Sequence, residues 1–153
     1  MKSKIDNIAE YILYLWQIED YLRAFPQKAE ESSELADISA MMHAEGIVDS
    51  GHLQLAAIAL SELEDLHDEL QSTEAPYRAV VLHLRPALDL FKSKTDRPAM
   101  SDVEACLVLL YQTMLLRLQH KQISAETDVA VKDATQLLRF LSKVYYDNNS
   151  ALQ

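Results

Sequence analysis

The sequence predicts an all-α protein: a single-domain, mostly antiparallel bundle of about six helices, with a central hydrophobic fifth helix. Three observations carry that prediction. Gly and Pro number only 2 and 4 among 153 residues, about 4% where average proteins hold roughly 12%, too few turn-formers for a β-protein. Apolar residues recur every three or four positions along most of the chain, the helical period. The hydrophobic content of 49% supplies a core and argues against disorder. No internal repeat, low-complexity run or composition break appears, so residues 1–153 read as one domain.

The first helix is predicted from about Asn7 to Ala24, stopped by Pro26. A polar stretch, Gln27 to Ser33, leads to a short second helix with Leu35, Ile38, Met41 and Met42 on its apolar face. Gly46 ends that helix as a left-handed cap, with Ile47 folding back onto the last turn. Asp49 or Ser50 is then expected to cap a third helix reaching about Gln71, with His52, Ala56, Ala59, Leu63, Leu66 and Leu70 facing the core. The fourth helix starts near Pro76 and buries Tyr77, Val80, Leu84, Leu88 and Phe91, with Pro86 expected to kink its interior. Ser101-Asp102-Val103-Glu104 is a capping box that opens the fifth helix. From Val103 to Leu118 that helix is apolar on nearly every side, so it must be surrounded by the bundle or share a face with a second subunit. Ser124 caps the sixth helix, whose face is Ala130, Ala134, Leu137, Leu141, Val144 and Tyr145, and Asn148 to Ser150 end it.

Charge and cysteine usage narrow the function classes. Residues 1–74 hold 16 acids and 4 bases, a balance of −12, while residues 75–153 hold 8 acids and 10 bases. Between Lys28 and Arg78 there are 12 acids and no Lys or Arg, a segment that repels phosphate backbones; no nucleic-acid partner is expected. The single Cys106 excludes an internal disulfide and fits a reducing compartment. The N-terminal residues lack a signal peptide's apolar run, and Glu10, Gln17, Glu19 and Asp20 interrupt the first helix as a membrane span. A cytoplasmic protein with no membrane partner is the expectation.

The most pointed feature is a charge pair on a core stripe. Ile5, Ile8, Ile12, Leu15 and Trp16 stack along one side of the first helix, and Glu19 and Arg23 fall within about 20° of the Ile12 direction. At a spacing of four they can pair, acid before base. Such a pair is a structural lock, a subunit contact or the wall of a polar pocket with Trp16, His52 and His67. Tyr11, Tyr14 and Tyr21 broaden the apolar arc of the same helix toward a partner surface.

Other motifs give little chemistry. Glu64-Asp65-Leu66-His67 has the Glu-x-x-His spacing of di-iron bundles, but no second copy exists. His43, His52, His67 and His83 follow no recognised zinc spacing. Gly51 sits beside Glu45 and Asp49, which oppose an anion, and Cys106 has no neighbouring base in sequence. Phosphate-loop, dinucleotide and nucleophile-elbow motifs are absent. No catalytic residue, metal ligand or cofactor is expected.

Three stretches resemble a known family. Asn7 to Asp20 (NIAEYILYLWQIED), the mid-chain Met41-Met42 with Glu45-Gly46 and Ser50 to Gln54, and Leu115 to Gln119 with Ile123-Ser124 are similar to an uncharacterised bacterial family of small all-helical proteins, classed as a domain of unknown function. The segment from Pro26 to Ala40 departs from that pattern by being shorter. The resemblance implies an all-α fold and no established activity, and it assigns no functional residues. The leading reading is a cytoplasmic interaction or scaffold protein acting as a homodimer. The alternative is a small-molecule or metal-binding helical protein, even an enzyme, with a pocket near Glu19 and Arg23.

Overall fold

Six α-helices and no strand occur among residues 2–151, which the computed structural model describes. They are α1 (Ile8–Ala24), α2 (Ser33–Glu45), α3 (Gln54–Thr73), α4 (Ala75–Ser93), α5 (Asp102–Leu118) and α6 (Ala125–Ser150). The chain clusters into two compact units, Met1–Ser61 and Glu62–Gln153, and the boundary falls inside α3.

In the first unit, the Asn7 side chain accepts the Glu10 N–H at 3.1 Å and starts α1. Ile8, Ile12 and Leu15 are fully buried along its inner stripe. Phe25 ends the helix, and Pro26, unable to continue it, opens a 3-10 turn at Pro26–Glu30 where the sequence suggests only a polar connection. Ser32 caps α2 through the Leu35 N–H at 3.1 Å. Gly46, at φ 70°, ends it: Ile47 N–H bonds the Met42 carbonyl at 3.0 Å and Gly46 N–H bonds His43 at 3.2 Å. This is the expected left-handed cap, which needs glycine because a Cβ disfavours that backbone region. Both α1 and the 3-10 turn pack against α2.

The third helix starts later than the sequence suggests. Asp49 and Ser50 lie in an irregular loop, and α3 begins at Gln54. Carboxylates from elsewhere take the capping role: Glu19 accepts the Leu53 N–H at 2.9 Å and Glu45 accepts the Gln54 N–H at 2.7 Å. His52 therefore sits before the helix rather than on its core line, which retains Ala56, Ala59, Leu63, Leu66 and Leu70.

In the second unit, α4 runs unbroken through Pro86. Its buried line is Tyr77, Val81, Leu84 and Leu88, one residue rotated from the expected Val80, with Phe91 half-buried. Only half of the capping box forms at α5: Ser101 accepts the Glu104 N–H at 3.1 Å, while the Glu104 carboxylate pairs with Arg97 at 2.6 Å. Ser124 caps α6 through Thr127 N–H at 3.1 Å. The three helices α4, α5 and α6 pack on one another. His83 meets Asp133 at 3.2 Å, whereas Lys94, further along α4, shares a groove with Glu126, earlier in α6; these two helices run antiparallel. The first half of α5 is the buried element, with Val103, Ala105, Cys106 and Leu107 fully enclosed. Among the described residues, no helix is long and apolar enough to cross a membrane.

Candidate functional site

Glu19 is buried completely, yet it does not pair with Arg23. One carboxylate oxygen accepts the Leu53 N–H and the other contacts His52 Nδ1 at 2.7 Å. The first N–H groups of a helix have no partner within it and carry partial positive charge, so the start of α3 supplies both the hydrogen bond and the field that a buried carboxylate needs. Arg23 instead pairs with Asp20 at 3.3 Å and donates to the Ile47 carbonyl at 3.0 Å and to the Gly51 carbonyl. Acid and base thus grip the same α2–α3 loop at separate points. The expected pair becomes a latch in which each charge binds backbone. Its physical cause is that loop carbonyls and helix N–H groups are better matched to these side chains than a solvent-excluded pair would be. Trp16 completes the latch by stacking on the His52 ring, 4.8 Å between centroids and 23° between planes.

Two of the tyrosines that widen the α1 arc, Tyr14 and Tyr21, also find partners inside the first unit. The Tyr14 hydroxyl bonds Glu34, and its pKa is pushed up to about 12 by burial and by that carboxylate. Tyr21 reaches Glu31 at 3.5 Å. Both acids lie in the segment that leads into and opens α2.

His67 belongs to a different constellation, in the second unit. Its Nδ1 faces the Tyr77 hydroxyl at 2.5 Å and its Nε2 lies 3.0 Å from the Gln71 side-chain amide and 3.5 Å from Asp102. With the Tyr77 hydroxyl donating to Nδ1, an Nε2–H directed at Asp102 requires the Gln71 amide to turn its oxygen, not its NH2, toward the ring. Asp102, in the first turn of α5, also receives Arg85 at 2.8 Å and Lys92 at 2.7 Å. His67, Arg85 and Lys92 hold the Asp102 carboxyl far below the usual carboxylate range, against the upward pull of desolvation. Burial raises the Tyr77 phenol and pushes the Cys106 thiol up to about 12, so the cysteine is a protonated, inert neighbour of this cluster. Nothing in the local sequence joins these residues into a cluster. Its one available signal was the seven-residue spacing of Arg85 and Lys92, which puts two cations on one face of α4.

The third feature is an open groove of about 510 Å³ in the second unit. Pro86, Leu90 and Phe91 of α4, Leu109 and Leu116 of α5, and Ala130 of α6 form its apolar lining. Lys94 and Glu126 are its charged residues, and Gln112, Thr113, Ser124 and Thr127 add polar atoms. Next to it, the second half of α5 emerges from the core: Leu110, Tyr111, Met114 and Leu115 are half-buried and Leu118 is 64% exposed.

These sites differ in what they can do. In the latch, both oxygens of Glu19 and the guanidinium of Arg23 are engaged in holding a loop. In the Asp102 cluster, the cations converge on one internal carboxylate. Among the described residues, no three His, Cys, Asp or Glu side chains are grouped to hold a metal ion. Of these three sites, the groove is the one with apolar surface left to offer.

Fold and sites together define an all-helical chain stabilised by polar contacts at helix starts. The family model described as Domain of unknown function (DUF4924) matches residues 1–34 and 26–151, and the chain belongs to that family. The two matched stretches share residues 26–34. No curated protein and no solved structure matches the chain.

Proposed function

We propose that this protein is a non-catalytic interaction or scaffold protein that works as a homodimer in the cytoplasm. One observation carries the reading: the second half of α5 keeps large apolar side chains at the surface, continuous with the α4–α5–α6 groove. Leu90 is 55% exposed, Leu116 36% and Leu118 64%. Exposed apolar surface gathered around a concavity is what helix-binding proteins bring together at an interface. The lone cysteine, buried and protonated, suits a reducing compartment.

Light scattering across micromolar concentrations tests the dimer. The expected mass is about twice the 17.4 kDa of the chain. A constant single-chain mass rejects it.

A further inference from the structure

We infer that the α4–α5–α6 face that bears the groove is covered by the same face of a second copy of this chain, seated across a two-fold axis. This inference rests on the homodimer reading above and names its surface.

The argument is one of charge complementarity. Around the groove the ionic side chains are matched within the chain: Arg85 and Lys92 to Asp102, Arg97 to Glu104, and Arg117 and Lys132 to Asp128. The two charged residues that line it are not matched, and neither are Asp96 and Lys121 in the loops that flank α5. Lys94, at the end of α4, and Glu126, in the first turn of α6, have no ion-pair partner among the described residues. A groove offering one unmatched cation and one unmatched anion has no net preference for an acidic or a basic partner. It is complementary to itself, because a two-fold axis brings residue i of one copy to residue j of the other and the reverse. Lys94 of each copy then meets Glu126 of the other. Leu90 and Leu116, which line the groove and are exposed in the single chain, supply the apolar contact between those charges. Both charged residues are exposed and lie at helix ends whose dipoles favour their charge.

The test uses charge reversal in the full chain. Lys94→Glu and Glu126→Lys each place like charges across the axis and are expected to weaken dimerisation by at least about tenfold. Mixed in equal amounts, the two variants should form a heterodimer: Glu at position 94 of one chain faces Lys at position 126 of the other, and the second pair is the native Lys94 with Glu126. That recovery separates an interface role from simple loss of helix-end stabilisation, which mixing cannot repair. Helical circular dichroism verifies that each variant is folded. If the native chain dimerises and both single variants stay dimeric, or if the mixture fails to recover, this surface is wrong while the homodimer reading stands. A native chain of single-chain mass overturns both.

Discussion

Two carboxylates at helix starts, one in each compact unit, show two ways of keeping a negative charge out of water. Glu19 comes from α1 and reaches the start of α3, where a backbone N–H and one imidazole receive it. Asp102 belongs to the first turn of its own helix and is surrounded by Arg85, Lys92 and His67. In the first case the backbone does most of the neutralising. In the second, side-chain cations do. Removing Glu19 therefore exposes unmatched dipoles and undoes a loop, whereas removing the charge of Asp102 leaves two full cations crowded together.

The largest effect should come from the latch. Glu19→Ala leaves the Leu53 N–H buried without an acceptor and is expected to cost about 3 kcal/mol, in the range for losing a buried charged hydrogen-bonding group. Glu19→Gln keeps an acceptor and should recover at least half of that loss. Trp16 is the single tryptophan and stacks against this latch, so urea unfolding followed by its fluorescence reads the change where it occurs. Equal stability of the Ala and Gln variants would remove the backbone from the account.

Asp102→Asn comes next, at about 2 kcal/mol near neutral pH, since Arg85 and Lys92 lose their shared anion. The pH dependence sharpens the contrast. The folded-state pKa of Asp102 lies below its unfolded value, so its contribution is fully present above the unfolded pKa and declines as pH falls through the acid range toward the folded value. The native chain should lose stability between about pH 4 and pH 2, and Asp102→Asn should show a shallower loss over that window. Parallel acid limbs for the two proteins would mean that Asp102 is not the linked group.

Gly51→Ala tests the grip of Arg23 without touching a charge. Gly51 has φ 98°, a conformation that side chains with a Cβ rarely adopt, and an added Cβ would stand 3.4 Å from Ile47 Cγ2. About 1–2 kcal/mol of destabilisation is expected from chemical denaturation. A neutral result would show the loop to be less constrained than its two carbonyl contacts imply.

His52→Ala should be the mildest, about 0.5–1 kcal/mol, because the ring is half exposed and Glu19 keeps the Leu53 N–H. Its signature is a shifted Trp16 emission from loss of the stacked ring. A cost as large as that of Glu19→Ala would make the imidazole, not the helix start, the main partner of the acid.

The sequence by itself determined the secondary structure to within a few residues. Helix periodicity, the Ser101 and Ser124 caps and the Gly46 stop are local matters, settled by side chains within four residues of the backbone they serve. It also singled out Glu19 and Arg23, because a charge on a core stripe is visible from spacing alone. Only the tertiary structure decided what those charges hold. The start of α3 is fixed by Glu19 and Glu45, separated from the N–H groups they cap by 34 and 9 residues, and local capping rules pointed instead to Asp49 or Ser50. His67 and Asp102, 35 positions apart, meet only after α3, α4 and α5 are assembled. The boundary between the compact units lies within an uninterrupted helix, where no Pro, Gly or polar linker marks it. Local hydrogen bonds are written in adjacent residues. Partners brought from a distance depend on how the helices pack, and a periodic pattern records which face is buried but not against what.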